Sequence, residues 1–305
     1  MHSRMLGGYP QFFSNIVIDS IQRMLSLSYW RAASPRDDKP AEKSWETVQK
    51  HDGYEISRQG GTVRLCLDQP HHGNSLTFTM MKDITSLFKN LSIDDSVHRI
   101  LVTGRGRYFC TGMDLKEDIF ASVAERYEAL QQLFSAIDTC PKPTVAVVNG
   151  PAFGGGVGLA TVCNVRIAVS TAFFCLSEVK LGLCPATISK FLVREWGVSL
   201  ARMAMMTGRR VKPQLLHNAG IIHALAPDTA SLDKITEEFL DDMRLAAPRA
   251  ASLSIMMARE AASGHDVDKL AREVFESMFA PGSESSYGIS QFNSGIRDIV
   301  WEDLV

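Results

Sequence analysis

The alternation of apolar and polar positions divides the chain into a first half of short strands and helices and a last third in which helical spacing dominates. Tyr54–Ser57 and Thr62–Leu67 are β-rich runs separated by Arg58–Gly61 with its Gly-Gly pair, the pattern of a hairpin. After the Pro/Gly/Asn loop Asp68–Asn74, Thr77 stands where a helix cap belongs. Met80, Met81, Ile84, Leu87, Phe88 and Leu91 then recur at helical spacing, with the methionines read as core. Ile100–Thr103 has the length and apolarity of a buried strand, Ala121–Ile137 reads as a helix, and Asp138–Pro143 turns the chain. Thr144–Val148 is an apolar strand closed by Asn149-Gly150-Pro151, and the triplet Gly154-Gly155-Gly156 opens a helical run over Val157–Val162. Val165–Ser170 and Phe173–Leu176 are strand-like. Ile188–Trp196 and Leu200–Met206 read as two helices broken at Gly197, and Thr207–Leu225 holds a short helix closed by Gly220. Leu232–Met278 keeps helical spacing apart from Pro248 and Gly264. This order predicts an α/β fold with a helical tail.

Composition narrows the picture. The chain of 305 residues is 45% hydrophobic and 22% charged, within the range of soluble globular proteins. A net charge of −2 argues against a dedicated nucleic-acid binder. No apolar run approaches the roughly 18 residues of a membrane span. Cys66, Cys110, Cys140, Cys163, Cys175 and Cys184 are scattered without a CxxC pair, so they are read as reduced core thiols, and no metal site is expected. The first residues differ: Arg4, Arg23, Arg31 and Arg36, many serines and only Asp19 as an acid match a transit peptide, and Phe12 to Leu27 has amphipathic character. The predicted layout is a transit peptide and disordered linker over 1–44, a core over 45–245 and a helical region over 246–305. Localisation is expected to be mitochondrial, otherwise cytoplasmic.

The candidate chemistry lies in two glycine loops and one acid. Gly154-Gly155-Gly156 stands between a strand and a helix, which places unpaired N–H donors at the positive end of the helix dipole. Phe109-Cys110-Thr111-Gly112-Met113-Asp114 repeats the design after another strand. Two such donors converging on one oxygen make an oxyanion hole. Glycines alone also make tight packing turns in many folds. The GGGVG run fails the dinucleotide fingerprint and lacks the Lys-Ser/Thr of a phosphate-binding loop. Glu178 is the one carboxylate in FFCLSEVKLGL. Its neighbours Leu176, Val179 and Leu181 predict an enclosed site and a carboxyl pushed up by desolvation, suited to proton transfer beside a carbonyl.

Taken together, several blocks resemble the crotonase (enoyl-CoA hydratase/isomerase) superfamily: GNSLT at Gly73–Thr77, RYFCTGMDLKE at Arg107–Glu117, PTVAVVNGPAFGGGVGLA at Pro143–Ala160, FCLSEVKLGLCPA at Phe174–Ala186 and MTGRRVKPQLLHNA at Met206–Ala219. The resemblance implies a ββα spiral core, a C-terminal helical region that trimerises, and a homotrimer or homohexamer. It implies an acyl-CoA thioester as substrate and no cofactor, since coenzyme A arrives within the substrate. The oxyanion hole corresponds to the N–H groups of Met113 and Gly155. Asp114, Gly154, Gly158 and Pro185 fall in the substrate pocket, and Lys116 and Arg297 at possible CoA contacts. Many hydratases of the family use two glutamates. One matches Glu178; the other falls at Gly158, so this chain keeps a single carboxylate. AFGGGVGLA with LSEVKLGLCPATIS is most similar to methylglutaconyl-CoA hydratases and their isohexenylglutaconyl relatives. That implies reversible hydration of 3-methylglutaconyl-CoA to 3-hydroxy-3-methylglutaryl-CoA, with Glu178 acting as both base and acid.

An enoyl-CoA isomerase, which also works with one glutamate, is the main alternative. A 3-hydroxyisobutyryl-CoA hydrolase has an acid where this chain has Ala186, and a dehalogenase needs an aspartate that Ala186–Ser189 does not offer. A non-catalytic member that binds CoA or RNA would also suit a missing carboxylate. His71 and His72 are read as loop residues. Arg105, Arg107 and Lys116 flank the first glycine loop, and Lys190 and Arg194 are the cations near Ala186. At the end of the chain Phe292, Arg297 and Trp301 match the family, while Gly295-Ile296 replaces its basic pair.

Overall fold

A computed structural model of the chain describes residues 44–116 and 121–301. The transit-peptide reading and Glu117 of the first glycine loop lie outside these residues. Strands β1 (Glu46–His51), β2 (Tyr54–Gln59) and β3 (Thr62–Leu67) form an antiparallel meander. Strand β1 was not predicted, because it lies almost wholly exposed at a sheet edge and so carries no inward-facing apolar alternation. The chain continues through α1 (Phe78–Ile93), β4 (Arg99–Gly104), α2 (Val123–Asp138), β5 (Thr144–Val148), β6 (Ala152–Phe153), α3 (Gly155–Val162), β7 (Val165–Val169) and β8 (Phe174–Cys175). Then come α4 (Ser189–Thr207), β9 (Arg210–Val211), α5 (Pro213–Asn218), β10 (Ala224–Ala226), α6 (Thr229–Arg244), α7 (Pro248–Ala262), α8 (Asp268–Met278) and α9 (Glu284–Asn293). The break expected at Gly197 is present: α4 consists of two helical segments that meet at Gly197, whose φ of 72° and ψ of 158° lie outside the helical region. Caps follow the sequence: Thr77 accepts from the Met80 N–H, and Ser122 with Glu125 closes a capping box on α2.

The larger sheet has the order β1-β2-β3-β4-β5-β7-β10 and is parallel from β3 onward. Helices cover both faces, which explains the unbroken apolar runs. Successive residues point to opposite sides. Ile100, Val102, Ala146 and Val148 enter the main core, with Phe88 and Phe134 from α1 and α2. Leu101, Val145, Val147 and Ile167 enter a second core against Leu232 and Leu240 of α6. Full burial of each such aliphatic side chain stabilises by about 1.5–3 kcal/mol.

A smaller sheet, β6-β8-β9, begins where β5 ends and its turn closes. Four of the six cysteines are buried, and burial pushes the Cys110 and Cys163 thiols up to about 12, out of the reactive range. Cys66 is half-buried. Cys184 departs from the core reading: it is exposed, on the segment after Glu178.

Two asparagines staple the loop that follows β4. Asn74, fully buried at φ 55°, accepts from the Gln69 N–H at 2.9 Å and donates to the carbonyls of Arg105 at 3.0 Å and Tyr108 at 2.7 Å. Asn149 donates to the Gly106 carbonyl at 2.9 Å. The Asn74→Ala variant leaves carbonyls without their donor and puts alanine in a left-handed conformation. It is expected to lower unfolding free energy by about 3 kcal/mol in urea titration. A loss below about 1 kcal/mol would mean that the loop is held by other contacts.

Candidate active site

Backbone bonds between neighbouring turns build the site. Thr111 donates to Gly73 O at 3.1 Å, Leu76 to Gly112 O at 2.8 Å and Asp114 to Leu76 O at 3.0 Å. Extended residues alternate direction, so the Met113 N–H points away from Leu76. On the other side Phe153 donates to Cys110 O at 2.9 Å and Gly154 to Cys175 O at 3.0 Å. Gly155 is the first residue of α3, where the helix supplies no acceptor. Among the described residues, neither the Met113 nor the Gly155 N–H donates to a backbone carbonyl.

The two amides converge because glycine lets the backbones meet. Gly112 takes φ 90°, and a Cβ built on it would sit 2.9 Å from the Gly155 nitrogen. A Cβ on Gly155 would lie 3.6 Å from the Met113 nitrogen. Gly154, at φ 48°, caps α3 and lies against the acid: its Cβ would stand 3.2 Å from Glu178 Oε1 and 3.4 Å from Cδ. The predicted constellation of Met113, Gly154, Gly155 and Glu178 is therefore one site, drawn from three separate turns.

Glu178 sits on a 3-10 turn, Ser177–Leu181, closed by Gly182 in the left-handed region and by a Leu183 N–H bond to the Glu178 carbonyl at 3.0 Å. The enclosure differs from that expected. Leu176 is buried, but Val179 and Leu181 are 38% and 63% exposed and point away; the wall is the glycine backbone. Oε2 is buried, with no hydrogen-bond partner among the described residues. Burial pushes the carboxyl above its ordinary range, opposed weakly by a hydrogen bond from its own backbone N–H. At the far end of α3 the buried Arg166 donates to the carbonyls of Thr161 at 2.9 Å and Cys163 at 2.6 Å, and pairs with Glu195. A cation there complements the helix dipole, leaving the N-terminal end for an anion.

The remaining candidates divide. Asp114 accepts from the Lys116 N–H at 2.9 Å and from Ser75 Oγ at 3.4 Å, shaping the turn beside Met113. The Lys116 side chain is exposed. Pro185 is buried in the segment after Glu178. His71 and His72 are exposed on a separate turn. Lys190 lies over the Phe191 ring, and Arg194 pairs with Asp138 and Glu195. Arg297 stacks on Phe292 at 4.1 Å in the C-terminal region. Among the described residues no group of three His, Cys, Asp or Glu side chains is placed to hold a metal ion.

Gly158 is more than a site without a carboxylate. A Cβ there would lie 2.3 Å from Ile188 Cγ2 and 3.2 Å from Phe134 Cε1. Packing leaves no room for a glutamate. Ile188, Phe134 and Arg166 escaped sequence reasoning. The sequence placed the first two only within helical stretches, and a lone arginine in a strand carries no signal of its carbonyl partners.

Two main-chain donors beside one desolvated carboxyl, on an α/β frame with a helical tail, form an arrangement able to hold a carbonyl oxygen while a proton moves nearby. The family model described as enoyl-CoA hydratase/isomerase matches residues 57–303, and the chain belongs to that family, with its crotonase-type fold. The chain is similar to the enoyl-CoA hydratase ACTT6 of Alternaria alternata, 52% identical over 90% of this chain and 95% of that one. Enoyl-CoA hydratase AFT6-1 of the same organism is 55% identical over 84% of this chain and 87% of its own length. The solved structure of AtuE from Pseudomonas aeruginosa superposes with a TM-score of 0.76 at 29% identity, covering 82% of this chain and 99% of that one.

A stability consequence follows from the raised Glu178 carboxyl. The folded state binds that proton more tightly than the unfolded state, so stability falls as pH rises through the window between the unfolded value of 4.5 and the higher folded one. Glu178→Gln, neutral and nearly isosteric, is therefore expected to melt at an equal or higher temperature than wild type at pH 7. A clearly lower melting temperature in calorimetry would show that the carboxylate stabilises the fold.

Proposed function

We propose that this chain is an enoyl-CoA hydratase, adding water reversibly across the double bond of a 2-enoyl-CoA. The convergence of the Met113 and Gly155 amides beside the buried oxygen of Glu178 carries the reading. The Glu178 carboxylate takes a proton from water as the oxygen of that water bonds to C3. The π electrons shift toward the thioester, whose oxygen gathers negative charge between the two amides. The enolate then collapses, and the carboxyl returns its proton to C2. Water is consumed whole and the glutamate is regenerated. A carboxyl with a raised pKa suits both halves, because acid and base forms lie closer together in energy near working pH.

The acyl group we favour is 3-methylglutaconyl, giving 3-hydroxy-3-methylglutaryl-CoA, on the strength of the AFGGGVGLA and LSEVKLGLCPATIS segments. The pairing of Arg194 with Asp138 and Glu195 leaves that side chain unsuited to a terminal carboxylate, so any such recognition falls to another cation. In this reading no cofactor is needed, delivery is mitochondrial, and a trimer or pair of trimers forms through the C-terminal helices. The exposed Phe275 on α8 and Phe279 just past its end are suited to such an interface. A second reading, double-bond isomerase, is favoured by the apolar wall of Ile188 and Phe134 at Gly158, which leaves one group to move protons.

The test is turnover of 3-methylglutaconyl-CoA, crotonyl-CoA and a 3-enoyl-CoA in 18O-labelled water. Label in the product marks hydration, and a moved double bond without label marks isomerisation. Tight thioester binding with no turnover would favour a binding protein. Glu178→Gln is expected to lower kcat by about 10²–10⁴-fold. The acid limb of the wild-type kcat/KM profile should fall above the ordinary glutamate range, since the base form disappears as pH drops through a raised pKa.

A further inference from the structure

We infer that Ile188 is a positioning residue of this site: its Cγ2 methyl, seated in the notch left by Gly158, holds the glutamate-bearing segment against the helix that presents the Gly155 N–H. The inference rests on the reading of Glu178 and the two amides as the reacting groups, and adds how they are kept in register.

The Glu178 carboxyl is not anchored at both oxygens. Its Oε2 has no protein hydrogen bond among the described residues, so the carboxyl goes where its backbone goes. Upstream that backbone is tied to β8. Downstream, Leu181, Gly182, Leu183, Cys184 and Ala186 are exposed, and burial resumes only at Pro185 and Ile188. Ile188 is 1% exposed and is where the segment meets the rest of the site. Its Cγ2 lies 2.3 Å from where a Gly158 Cβ would be. Gly158 is one turn into α3, and its N–H bonds to the Gly154 carbonyl at 3.2 Å. Phe134 of α2 braces the same point, 3.2 Å from the Gly158 Cβ position and 3.8 Å from that of Gly155. Gln131, also on α2, donates to the Thr187 carbonyl at 3.1 Å. One methyl thus joins the segment that carries the acid, the helix that carries an oxyanion donor, and the helix behind both. Ile188, 1% exposed, acts through its packing at Gly158 and through the backbone that leads to Glu178.

The notch makes the contact specific to one atom. Ile188→Val keeps Cγ2 and loses only Cδ1. Ile188→Leu keeps the volume but moves the branch away from Cβ, so the notch is left unfilled. Gly158→Ala inserts a methyl that collides with Ile188, whereas Gly158→Ala with Ile188→Ala places that methyl in the vacated space. These variants of the full chain are assayed with whichever enoyl-CoA the wild type turns over, recording kcat, KM, the pH dependence of kcat and the melting temperature. Ile188→Leu and Gly158→Ala are expected to lower kcat by about 10- to 100-fold with little change in KM, the scale set by small misplacements of reacting groups. Their acid limbs should move toward the ordinary carboxylate range as Glu178 gains water. Ile188→Val should keep most of kcat, and the double variant should recover much of what Gly158→Ala loses. The inference is overturned if Ile188→Leu melts earlier yet retains wild-type kcat and pH profile, or if the double variant is no better than Gly158→Ala. Glu178→Gln separates the two levels: full activity in that variant defeats the reading of the site, whereas an inactive Glu178→Gln beside unaffected Ile188 variants defeats this inference alone.

Discussion

Two backbone hydrogen bonds, Phe153 N–H to Cys110 O and Gly154 N–H to Cys175 O, fix how the acid faces the two amides. They tie three successive turns together at the small sheet, and every chemical group of the site leaves from one of those turns. Each bond contributes only about 0.5–1.5 kcal/mol net. Their value is geometric, because reacting groups held to within about 0.5 Å are worth far more than their contacts alone. Main-chain anchors also free the site from side-chain rotamers. The consequence is severe steric demand: a Cβ on Gly156 would come within 2.2 Å of the Cys110 carbonyl oxygen. The glycine triplet is therefore set by the close approach of strand to helix as much as by the need for exposed N–H groups.

The buried strands were legible because parallel strands covered on both faces are apolar at every position, as Ile100, Leu101 and Val102 show by serving two cores in turn. The glycine loops were legible because few residue types tolerate a strand-to-helix turn with φ above zero. β1 was not, since an exposed edge strand is specified by its pairing with β2 and hardly by its own pattern. The enclosure of Glu178 was read from Val179 and Leu181, its neighbours in sequence. On a 3-10 turn those side chains radiate outward, and the true wall is Gly154 from another turn. Gly158 shows the same limit: an absent side chain announces that something else fills the space, and only the fold reveals Ile188 and Phe134.

Two effects compete at Glu178. The N-terminal end of α3, capped by Gly154, favours a negative charge by about 0.3–1 kcal/mol, which alone would lower the carboxyl pKa. Loss of water at Oε2 works in the opposite direction and dominates, since the pKa is raised. A desolvated acid with one oxygen lacking a protein partner costs stability that the rest of the fold must offset. Such a cost is common where a site is built for reaction, since a better-solvated or ion-paired carboxylate would be a weaker proton acceptor.

The same competition bears on how a single carboxylate would serve the proposed reaction. In the proposed hydration Glu178 becomes neutral as it takes a proton from water, and the charge it gives up would reappear on the thioester oxygen between Met113 and Gly155. The negative charge moves across one end of α3 while its total there stays constant. A second ionised glutamate at Gly158 would add a like charge inside the same low-dielectric space, raising the cost of forming the enolate unless it too were protonated. Ile188 and Phe134 fill that position, which would keep the local charge at a single unit throughout the proposed reaction. The helix end, with Arg166 matching it at the opposite terminus, then needs to stabilise only one anion at a time. In this arrangement the apolar wall is the counterpart of a single proton carrier, and the chemistry is limited by how well that carrier is held against the two amides.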